Sequence, residues 1–125
     1  MKTIAAFIIS FLFSLSSVAQ NRIDELIENL STSGNTSFTS IVTRNKRTKT
    51  VEKVVKYAEI TGSARKFVET FEAECNKHDY LEKTEGGITT INITIDSKKQ
   101  KRIYIIQYEK KVKHNATVTV IIHYK

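Results

Sequence analysis

The chain has 125 residues, with 20 Lys and Arg against 13 Asp and Glu, a single cysteine and no proline or tryptophan. That length fits one small domain with a modest core. A lone cysteine excludes an internal disulfide framework, and the formal charge of +7 inclines the surface toward anionic partners.

Met1 to Ala19 carry one charge, Lys2, followed by the apolar run Ile4 to Leu15 and the small residues Ser16, Ser17, Val18 and Ala19. This is the pattern of a secretory signal peptide, with Ser17 and Ala19 at the two positions that signal peptidase reads, so cleavage is expected before Gln20. The apolar run is too short to cross a bilayer core of about 30 Å as a retained anchor. Residues 1–19 are therefore expected to leave, and residues 20–125 to form one exported domain, periplasmic or secreted. Loss of Lys2 leaves 19 basic against 13 acidic side chains, a formal charge of +6. Export argues against nucleic acid as a partner and for an anionic glycan, a lipid headgroup or another envelope protein.

Ile23, Leu26, Ile27 and Leu30 recur at i, i+3, i+4 and i+7, one apolar stripe of a helix over Arg22 to Leu30. Asn21 can cap it, and Asp24 and Glu25 lie in the first turn, where the helix dipole favours carboxylates. Ser31 to Ser37 reads as a loop. Phe38 to Arg44 alternates with β-branched residues and predicts a strand, followed by a polar, basic tip from Asn45 to Thr50. Val51 to Ile60 fits either a helical stripe or a strand covered on both faces. The stiff side chains of Val51, Val54 and Val55, and the short tip before them, favour a strand folded back on the previous one.

Thr61 to Ser63 break the pattern, with Ser63 the expected N-cap of a second helix on which Ala64, Phe67, Val68, Phe71 and Cys75 share a stripe. Asn76 and the polar residues after it stop that helix. Tyr80 to Glu85 and Ile88 to Ile95 form a hairpin through Gly86 and Gly87. Ile103 to Tyr108 and Ala116 to Tyr124 complete an antiparallel meander. In the last run Ala116, Val118, Val120, Ile122 and Tyr124 share one face, and Ile121 alone breaks the alternation. The expected fold is α+β: an antiparallel sheet of about six strands, hairpin plus C-terminal meander, with two helices on one face.

The chain carries no Cys-x-x-Cys, no His-Glu-x-x-His, no Gly-x-Ser-x-Gly and no phosphate-cradling glycine loop. Cys75 and His78, three apart, would bring thiol and imidazole together on a helix, but Cys75 continues the apolar stripe and occupies the place of a small core residue. The clustered carboxylates Glu69, Glu72 and Glu74 read as a solvated helix face. No catalytic residue, metal ligand or cofactor is assigned. Strand parity puts the tip bearing Lys46, Arg47 and Lys49 at the same end as Lys98, Lys99, Lys101 and Arg102, and the group Lys110, Lys111 and Lys113 at the other. The residues of the shared end are the candidate ligand-binding set, for an anion held at hairpin tips.

The signal ending at Ala19, the helix Arg22-Ile-Asp-Glu-Leu-Ile-Glu-Asn-Leu, the segment Thr48-Lys-Thr-Val-Glu-Lys-Val-Val-Lys-Tyr and the run Ala116-Thr-Val-Thr-Val-Ile-Ile together resemble small exported proteins of Bacteroides-type bacteria grouped in families of unknown function. The resemblance implies an exported α+β domain with a strand at Val51 to Ile60, and it brings no catalytic residues. The expected function is a non-enzymatic binding or interaction protein. The alternatives are an inhibitor or subunit that recognises another exported protein by a strand edge, and a small enzyme using Cys75 or His78.

Overall fold

The computed structural model describes residues 22–33, 37–62 and 64–125; the expected signal peptide and the expected caps Asn21 and Ser63 lie outside the described residues. The elements follow in the order α1 (Arg22–Ser33), β1 (Ser37–Arg44), β2 (Val51–Thr61), α2 (Arg65–Cys75), β3 (Asp79–Glu85), β4 (Ile88–Asp96), β5 (Gln100–Glu109) and β6 (Asn115–Tyr124). The strands form one antiparallel sheet in the order β1-β2-β6-β5-β4-β3. The meander is thus intact, and the N-terminal hairpin docks onto it through β6.

Alternation decides which side chains meet the helices. Ala58 and Ile60 of β2, Val118 and Val120 of β6, Tyr104 and Ile106 of β5, and Ile91 and Ile93 of β4 are all buried on one face. Ile23 and Ile27 of α1 and Phe67, Val68 and Phe71 of α2 close over that face. Burying one such side chain stabilises by about 1.5–3 kcal/mol, so the sheet is held to the helices chiefly by these few contacts. The strand reading of Val51 to Ile60 holds: Val54 packs against the core while Val55 points to the opposite, open face.

Two boundaries differ from expectation. Helix α1 runs on through Ser31, Thr32 and Ser33, because serine and threonine cost a helix only tenths of a kcal/mol, about 0.5 each, and the first strong breaker in the sequence is Gly34. Helix α2 has Ala64 as its cap residue, without a side-chain cap bond. The Ala64 N–H instead donates to the His114 carbonyl at 3.3 Å, which ties the start of α2 to the β5–β6 connection.

The helices leave the sheet margins bare. In β1 every residue except Phe38 is exposed, with Ile41 at 57% and Val42 at 48%, one on each face. The other edge, β3, is exposed throughout but carries Asp79, Glu82, Lys83 and Glu85. Charge on an edge strand discourages pairing with other chains.

Candidate anion-binding site

The topology brings the β1–β2 and β4–β5 turns to the same end of the sheet, since β1 and β4 run in the same direction. The β5–β6 turn, with Lys110, Lys111 and Lys113, lies at the opposite end near Glu85 and Glu109. Strand spacing separates the midlines of the two upper turns by about 14 Å.

Both turns are internally braced. In the first, the Asn45 side-chain oxygen accepts from the Arg47 N–H at 2.8 Å and from the Thr48 N–H at 3.0 Å. The Asn45 N–H donates to the Thr50 carbonyl at 2.8 Å, and Lys49 closes the turn with a positive φ of 65°. A bulge at Thr43 and Arg44 widens the hairpin end, and Arg44 Nη1 donates to the Lys49 carbonyl at 3.1 Å. In the second turn the Ser97 N–H and hydroxyl both donate to the Gln100 carbonyl, at 2.9 and 2.8 Å. Asparagine and serine at these positions replace backbone partners that a tight turn leaves unpaired. The consequence is that Lys46, Arg47, Lys49, Lys98 and Lys99 stand out from fixed backbones and are exposed.

Beneath the turns, on the open face, Lys53, His123 and Lys101 sit side by side on β2, β6 and β5. Direct cross-strand neighbours have Cβ atoms about 5 Å apart, so the His123 ring separates the two lysines, and Asp96 of β4 is the neighbour of Lys101 on its other side. Lys125 lies between the turns: its N–H donates to the Lys99 carbonyl at 2.9 Å and its ammonium group to the Ser97 carbonyl at 2.8 Å and to Asp96. The Lys125 hydrogen bond and charge hold the Asp96 carboxyl below its usual range. Lys53, His123 and Lys125 are not in the sequence-derived set. Their membership depends on β6 lying between β2 and β5, and local sequence carries no signal for that pairing.

Arg102 is the one residue of the set that the structure takes away from the rim. Its neighbour Lys101 faces the open side, so Arg102 faces the helices. Its side chain is 14% exposed and its Nη1 donates to Asp24 Oδ2 at 2.7 Å and to the Tyr104 hydroxyl oxygen at 2.9 Å. The Tyr104 hydroxyl in turn lies 2.9 and 3.1 Å from the two Asp24 oxygens, to which it donates. This cluster fastens α1 to β5.

Cys75 and His78 do not form a pair. His78 Nε2 lies 3.3 Å from Oε1 of Glu74, whose other oxygen accepts from Lys77 at 3.4 Å. Glu74 is buried rather than part of a solvated face, and its carboxylate tolerates that place because both oxygens meet a basic side chain. Burial, followed by the charges of Glu82 and Glu72, pushes the Cys75 thiol up, away from the reactive thiolate. An open depression of ≈ 520 Å³ beside His78 is lined by polar residues including Lys77, Asp79 and Asp96. Among the described residues no group of three or more His, Cys, Asp or Glu is placed to hold a metal. No helix of the described residues is long and apolar enough to cross a membrane. Comparison with protein-family models, with curated proteins and with solved structures finds no match.

Proposed function

We propose that the chain is an exported, non-enzymatic binding protein that engages a polyanionic surface, an acidic glycan or the phosphates of lipid headgroups, through its upper rim. The observation that carries the reading is that two braced turns present Lys46, Arg47, Lys49, Lys98 and Lys99 at one end of the sheet. Fixed cations lose less freedom on binding than cations on loose loops, and their combined field steers anions toward one end. The carboxylates beside the two turns already have partners, Glu52 with Asn45 and Asp96 with Lys125.

The test compares three triple variants of equal charge change: Lys46, Arg47 and Lys49 to Ser; Lys98, Lys99 and Lys101 to Ser; and, at the opposite end, Lys110, Lys111 and Lys113 to Ser. Binding is measured by co-sedimentation with anionic vesicles, with neutral vesicles and with a sulfated polysaccharide, at low and high salt. The first two variants are expected to lose most of a salt-sensitive affinity and the third to keep it. Vesicle binding without polysaccharide binding selects the lipid phosphate, and the reverse selects the glycan. Equal losses in all three variants mean unspecific charge attraction and sink the proposal. A second reading, recognition of another envelope protein by a strand edge, is favoured by β1, which has no strand on its outer side among the described residues and carries no lysine.

A further inference from the structure

The open face of the sheet breaks the rule that a solvated face is polar. Antiparallel strands with one wet face alternate cleanly, whereas strands apolar on both sides are covered on both sides. Three strands break the alternation: β2 at Val54 and Val55, β5 from Ile103 to Ile106, and β6 at Ile121, which stands between the inward-facing Val120 and Ile122. The edge strand β1 adds Ile41.

The register aligns these exceptions. Ile41 pairs with Val55, Val55 with Ile121, and Ile121 with Ile103, so one unbroken aliphatic row crosses β1, β2, β6 and β5 on the open face. The adjacent row holds Tyr57, Thr119, Ile105, Asn92 and, at the far edge, Leu81, which is 75% exposed. On one side of this band lie Lys53, His123 and Lys101, and on the other Glu59, Thr117 and Gln107.

We propose that this face is a homodimer interface, on which two copies of the chain pack open face to open face as the two sheets of a β-sandwich. The face complements itself about a two-fold axis that crosses the strands between these two rows. That operation sets each row on the other: Ile103 meets the partner's Ile105, and Val55 meets the partner's Tyr57. It also sets Lys53 against the partner's Glu59, twice by symmetry, while Lys101 meets the partner's Gln107. A two-fold interface requires such self-complementarity. Six strands at the usual spacing and about eight residues of length give a face of about 700 Å² in plan, close to the roughly 800 Å² per partner of a stable interface. Stacked sheets of this kind pack about 10 Å apart face to face.

The test is the mass of the protein expressed from its full sequence, by sedimentation equilibrium across the micromolar range. A doubled mass is expected for the unaltered chain. Replacing Ile103 and Ile121 together by Thr, which keeps β-branching, is expected to halve the mass while thermal unfolding stays cooperative. Lys53→Glu alone is expected to weaken the dimer about tenfold, the loss of one favourable charge contact per copy, and Lys53→Glu combined with Glu59→Lys to restore it. A monomeric unaltered chain overturns the proposal, as does a dimer that survives the two threonines. Failure of the double exchange to restore association overturns the paired geometry.

Discussion

At the residue scale, Asp24 shows how far a side chain's job can lie from its local reading. In the sequence it is a carboxylate in a first helical turn, complementing the dipole. In the fold it is buried and receives Arg102 and Tyr104 from a strand 78 and 80 residues away. Asp24→Ala leaves the Arg102 guanidinium in a largely buried place without its carboxylate and is expected to cost about 3 kcal/mol, read from urea unfolding. Burial, then the Asp24 charge, pushes the Tyr104 hydroxyl well above its ordinary range. Burial also raises Tyr108 and Cys75. The unfolded chain releases these protons first, so between the unfolded and folded values the folded state holds more protons. Stability is therefore full below about pH 8.5 and falls as pH rises through the ordinary thiol and phenol range. Tyr104→Phe is expected to flatten that alkaline decline, measured as urea midpoints at a series of pH values.

At the element scale, the first turn is held by a side chain that carries no charge. Asn45→Ala removes the acceptor for two backbone N–H groups and is expected to cost about 1 kcal/mol. Every cation remains, so a fall of roughly threefold in anion affinity would report loss of preorganisation alone. Unchanged affinity would show that bracing is irrelevant. The strands were legible because alternation is a local signal: Ile91 and Ile93, or Val118 and Val120, announce a buried face without reference to anything distant. The alternation of Lys101 and Arg102 also contained the reason why only one of them could reach the rim. The docking of β2 on β6 was not legible, because edge-to-edge pairing across more than about fifty residues leaves no periodic trace. With it went Lys125, Lys53 and His123 as neighbours of the turns.

At the scale of the whole molecule, β6 is the keystone, pairing with β2 on one side and β5 on the other. A chain ending at His114 would leave the N-terminal hairpin unattached and is expected to show no cooperative thermal transition by circular dichroism. The same arrangement governs when folding happens. A chain synthesised from its N-terminus makes β1 and β2 early, yet their inner edge waits about fifty residues for its partner, several seconds at roughly 5–20 residues per second. Until β6 emerges, no complete sheet exists to resist being threaded through a narrow channel. For the exported chain proposed above, a sheet joined through the last of its described strands is expected to stay pliable during delivery and to set on arrival.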